Sequence, residues 1–62
     1  MEIAEIDLKI LGETDLAFKV TDGDVTCWLP KSQIKNLDDD WEVGDTETLE
    51  IPQWLAEEKD LA

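Results

Sequence analysis

Residues 4–11, AEIDLKIL, place Ala4, Ile6, Leu8 and Ile10 on one side of an extended chain and Glu5, Asp7 and Lys9 on the other. A period of two suits a strand with one buried and one wet face, and it lays no apolar stripe along a helix. The pattern recurs. Leu16, Phe18 and Val20 alternate with Ala17, Lys19 and Thr21, and Gly12-Glu13-Thr14-Asp15 supplies the turn that makes the two segments a hairpin. Asp22-Gly23-Asp24 is a second tight turn, with Gly23 free to take positive φ. VTCWL, residues 25–29, predicts a third strand, ended by Pro30 because proline cannot donate to a ladder. Ser32 is placed to cap a short helical turn, with Ile34 and Leu37 turned inward. Residues 46–51 predict a fourth strand, with Leu49 and Ile51 buried and Thr48 and Glu50 opposite.

Pro52 suits the first position of a helix, where its missing N–H costs nothing. Residues 52–60 predict two to three turns, with Trp54, Leu55 and Leu61 as a stripe that covers the end of the sheet. At 62 residues the chain is one domain, 1–62, and a domain this small buries only about 60% of its unfolded surface. Trp28, Trp41 and Trp54 could each remove roughly 200 Å² from water, and are expected to help build the core. The expected fold is α+β: a small, mostly antiparallel sheet curled toward a minimal barrel, with a C-terminal helix, in a monomer. The single cysteine, Cys27, forms no internal disulfide and reads as a small buried strand residue.

Charge is the unusual quantity. Residues 1–35 hold seven acids and four lysines, residues 36–62 hold ten acids and one lysine, and the formal net charge is -12. No cation lies between Asn36 and Glu58. Self-repulsion on this scale opposes compaction, and it disfavours nucleic acid and anionic membranes as partners. The acids concentrate in LDDDWEVGD, residues 37–45, as Asp38, Asp39, Asp40, Glu42 and Asp45 around Trp41. They continue through Glu47 and Glu50 and reappear as Glu57, Glu58 and Asp60, at a helix end whose dipole favours cations.

Other chemistries fit poorly. With no histidine, the chain lacks the commonest general base, and so small a domain offers little room for a cleft. It is not expected to be an enzyme or to need a cofactor. Asp38, Asp40 and Glu42 are spaced like early calcium-loop ligands, but the sixth position would be Val43 and the twelfth Leu49, where glycine and glutamate are needed. Grooves that bind single strands are basic, and this surface is not. Met1-Glu2-Ile3-Ala4-Glu5 is acidic where a signal peptide starts basic, and no apolar run reaches membrane length, so the expected location is the cytoplasm.

An acidic surface can instead address a basic protein. Same-face strand residues lie about 6.7 Å apart, comparable with phosphates that recur every ~3.4 Å of duplex axis and lie farther apart along the winding strand. Trp41 reads either as a ring that holds the acidic loop down or as an interface anchor. WLPKSQI (28–34) together with IPQWLAEEKDL (51–61) resembles a group of short phage and prophage proteins that share these two motifs; Asp60 stands where that group is expected to have glycine. By type, a tiny acidic chain of this kind resembles the DNA-mimic inhibitors of bacterial defence, anti-CRISPR proteins among them. That resemblance implies a basic DNA-binding protein or CRISPR effector subunit as partner. The partner-binding residues are then Asp38, Asp39, Asp40, Trp41, Glu42, Asp45, Glu47, Glu50, Glu57, Glu58 and Asp60, acting in the host cytoplasm. The competing expectation is an acidic interaction module of a phage replication or packaging complex, with the acids only a solvated face.

Overall fold

The computed structural model describes residues 2–61. Four antiparallel strands, β1 (Ile3–Glu13), β2 (Ala17–Thr21), β3 (Thr26–Pro30) and β4 (Thr46–Pro52), form one sheet in the order β3-β2-β1-β4. A six-residue helix, α1 (Gln53–Glu58), follows β4 directly. The fold is α+β, and the sheet is open, with β3 and β4 as its edges.

Register explains the core. Ala4 pairs with Ile51, Ile6 with Leu49, Ile10 with Val20, and Phe18 with Leu29, so the apolar set of every strand falls on one face. Leu8, Ile10, Val20, Leu29, Leu49 and Ile51 are fully buried there, each contributing about 1.5–3 kcal/mol of apolar transfer. Ile34, Leu55, Ala56 and Leu61 cover them. All the cover lies on that face because both the β3–β4 connection and α1 return across it. The opposite face carries Glu5, Asp7, Lys9, Lys19, Thr48 and Glu50 and is solvated.

Turn chemistry sets the hairpins. Thr14 Oγ1 accepts from the N–H groups of Leu16 and Ala17 at 3.3 and 3.1 Å. Asp22 Oδ1 accepts from Asp24 and Val25 at 2.9 and 2.8 Å, while Gly23 takes φ 107°. These N–H donors hold the Asp22 carboxyl below its ordinary pKa. β1 runs two residues farther than its alternation suggests, because a bulge between Ile10 and Gly12 absorbs Leu11 and restores the pairing of Glu13 with Phe18.

Several expectations are corrected. Trp54 is not buried and is 51% exposed; α1 buries its neighbours Leu55 and Ala56, and one residue earlier on a helix points about 100° away. Trp28 is 45% exposed. Cys27 and Leu29 take the inward positions of β3, so strand alternation sends Trp28 to the open face opposite Lys19. Leu16 lies in the Thr14 turn outside β2 and is 80% exposed. Leu37 is 41% exposed, although Ile34 is buried as expected. Pro30 belongs to β3, and the 3-10 turn Lys31–Gln33 that follows it has no side-chain cap from Ser32. Pro52 ends β4 and caps α1 instead of opening the helix. Cys27 is half-buried, and burial raises its thiol pKa.

Candidate functional site

The acidic segment forms two consecutive turns. In the first, Asp38 Oδ1 accepts the Asp40 N–H at 2.8 Å and the Asp38 carbonyl accepts the Trp41 N–H at 3.3 Å. In the second, Asp45 Oδ2 accepts the Glu42 N–H at 3.1 Å, and the Glu42 carbonyl accepts the Asp45 N–H at 3.1 Å. Gly44, at φ 101°, then joins the sheet. Its N–H donates to the Ile10 carbonyl at 2.7 Å, and the Ile10 N–H donates to the Asp45 carbonyl at 2.8 Å. Two residues thus oppose one, in a bulge whose left-handed position favours glycine. The loop is tied at its centre as well as its end, since the half-buried Trp41 ring packs on Phe18 with centroids 6.1 Å apart at 54°.

This geometry sorts the acids. The carboxylates of Asp38 and Asp45 build the turns. Those of Asp39, Asp40 and Glu42 point into water with no hydrogen bond or ion pair among the described residues. Lys31 Nζ lies 2.6 Å from Glu13 Oε2 and 4.8 Å over the Phe18 ring. That is the one ion pair among the described residues, which leaves the loop charge without a neutralising partner.

The remaining expected residues do not join the loop in one row. Glu47 pairs with Leu8 on the core side of β4, whereas Glu50 pairs with Glu5 on the open side. Both are half-buried. The open face therefore holds two acids that the sequence reading passed over, Glu5 directly across from Glu50 and Asp7, which accepts the Thr48 hydroxyl at 2.5 Å. Alternation places both on the wet face, and the register adds that they stand opposite Glu50 and Thr48. Like charges opposed across a ladder are destabilising, so the Glu5–Glu50 pair is held against its own repulsion.

Glu57 and Glu58 are exposed on α1, beyond the other end of β4 from the loop. Asp60 has a backbone role. It takes φ 60°, the only positive φ at a non-glycine position among the described residues. The Leu61 N–H donates to the Ala56 carbonyl at 2.8 Å across it, which is how a left-handed residue closes a helix.

A further polar feature was not foreseen. Asn36 lies against the outer edge of β4, where its Nδ2 donates to the Thr48 carbonyl at 2.8 Å and its Oδ1 accepts the Glu50 N–H at 2.9 Å. Beside it the Lys35 N–H donates to the Glu50 carbonyl at 2.7 Å. Together they occupy an edge that would otherwise be open for pairing.

No three acidic or thiol side chains among the described residues gather closely enough to hold a metal ion. No helix among them is long and apolar enough to cross a membrane. Comparison with protein-family models, curated proteins and solved structures found no match.

Proposed function

We propose that this chain is a phage-encoded DNA mimic, similar in type to anti-CRISPR proteins. It would occupy a basic duplex-binding surface on a host nuclease or CRISPR effector complex, in the host cytoplasm, without chemistry of its own. The observation that carries the reading is the state of Asp39, Asp40 and Glu42. They are exposed, unpaired and displayed on a loop that Trp41 fixes to the core. A pre-ordered array of carboxylates spends little entropy on meeting a surface built for phosphates. It also steers encounter, because uncompensated charge raises association rates at low salt. In this reading the 38–45 loop is the main contact surface, and Glu57 and Glu58, exposed on α1, form a second patch.

The test is direct competition. A basic partner captured on the immobilised protein is challenged with duplex DNA, and the triple variant D39N/D40N/E42Q is compared with the native chain. The reading expects mutual exclusion with DNA and loss of capture by the variant. Intact capture by the variant would remove the loop from the interface.

One observation favours the second reading, an acidic interaction module of a phage replication or packaging complex. Asp38 and Asp45 each accept a backbone N–H within their own turns, so part of the acidic run serves the loop's conformation. Under that reading the partner binds this chain and DNA together.

A further inference from the structure

The two edges of the sheet are finished differently, and the difference can be read from hydrogen-bond parity. In an antiparallel pair, alternate residues direct both backbone groups toward the neighbour and the residues between direct theirs away. The Asp22 N–H donates to the Val25 carbonyl and the Lys31 N–H to the Leu16 carbonyl. These bonds lie on the same register as Phe18↔Leu29 and Val20↔Cys27. Residues 25, 27, 29 and 31 therefore turn inward to β2, and Thr26, Trp28 and Pro30 turn outward.

The same reasoning turns Thr48 and Glu50 outward on β4, where Lys35 and Asn36 cover them. Nothing among the described residues covers β3. Its edge offers the N–H groups of Thr26 and Trp28 and the carbonyls of Thr26, Trp28 and Pro30. The strand itself, TCWLP, has no charged side chain to deter pairing. Trp28 stands exposed beside this edge on the open face, across from Lys19. Asp22 and Asp24 are exposed at its start.

We propose that the β3 edge receives an extended, lysine- or arginine-bearing segment of a basic partner by strand addition, with Trp28 covering the added strand's side chains. Backbone bonds would supply the ladder, and the side chains along the added strand would supply selectivity. The sign of the partner's charge follows from this chain's net charge of -12, which attracts such a segment and repels a second copy of the chain. The proposal rests on the functional reading only for that sign.

The experiment uses the full chain and two nine-residue probe peptides of alternating lysine and valine, one of them N-methylated at every residue so that neither of its edges can pair. Both carry the same charge, and only the first can form a ladder. Amide exchange at Thr26 and Trp28 should slow at least about tenfold with the first peptide and stay unchanged with the second. Trp28→Ala should weaken the first peptide's binding at least about fivefold, and Thr26→Pro, which removes an N–H that the fold does not use, should abolish the protection. Equal effects of the two peptides, perturbation confined to residues 38–45, or self-association through this edge in sedimentation would each overturn the proposal. The loop reading fails separately. D39N/D40N/E42Q should lose competition with DNA while keeping peptide protection at Thr26 and Trp28.

Discussion

Replacing Asn36 by alanine tests how β4 is held. The side chain makes two hydrogen bonds to strand backbone, from Nδ2 to the Thr48 carbonyl and from the Glu50 N–H to Oδ1. The first is exposed, so water replaces most of it, and its loss should cost about 0.5 kcal/mol. The second is part-buried and leaves a backbone N–H poorly solvated, which should cost about 1–1.5 kcal/mol. The sum is about 1.5–2 kcal/mol, against a total of roughly 3–9 kcal/mol for a domain of this size. Each kcal/mol moves the midpoint of so small a domain by about 4–8 °C, so thermal unfolding should fall by roughly 6–16 °C. Urea titration should give the same loss with an unchanged slope. A loss under about 0.5 kcal/mol, with the Glu50 amide exchanging as in the native chain, would refute the reasoning.

Other substitutions test the core and the turns. Phe18→Ala should cost about 3–5 kcal/mol and release the acidic loop that rests on it, whereas Trp54→Ala should cost only about 1–2 kcal/mol because a half-exposed ring leaves no cavity; denaturant titration of both decides the order. Asp60→Gly should stabilise by about 0.5–1 kcal/mol, since glycine takes the left-handed position without a Cβ penalty, and a loss of stability in calorimetry would remove that explanation. Asp22 has a lowered folded pKa. Its contribution is complete above the ordinary value of 3.8 and fades as pH falls below it. The stability gap between the native chain and Asp22→Ala should therefore narrow in acid, and a gap that widens there would reverse the sign. Added salt should raise the unfolding midpoint, because screening relieves repulsion in a chain of net charge -12; no change between low and high salt would mean that the acids do not strain the fold.

The sequence made the strands legible because their apolar residues recur with period two from Ala4 to Ile10 and again at Leu49 and Ile51. It misplaced two tryptophans for an opposite reason. Size and apolarity argue for burial, yet Trp28 takes its face from Cys27 and Leu29, and Trp54 takes its direction from Leu55 and Ala56. The acidic loop was legible as a run of charge. Its division into turn-building Asp38 and Asp45 and free Asp39, Asp40 and Glu42 was not, because that depends on which backbone N–H each carboxylate reaches. That Glu47 and Glu50 part to opposite faces follows from the alternation that buries Leu49, but the sequence did not show that Glu50 faces Glu5 across the ladder, or that Asn36 plugs an edge twelve and fourteen residues away in the chain. The last two facts follow from register, which tertiary pairing sets.

The central claim is that the 38–45 loop takes the place of a duplex on a basic surface, and order-of-addition binding tests it most directly. The captured partner is purified and offered duplex DNA either after or before this protein, at physiological ionic strength, with D39N/D40N/E42Q in parallel. The account predicts that the protein added first prevents DNA binding. Added second, it should leave an existing complex largely intact over short times, and the triple variant should do neither. A stable ternary assembly of partner, DNA and this protein would contradict it.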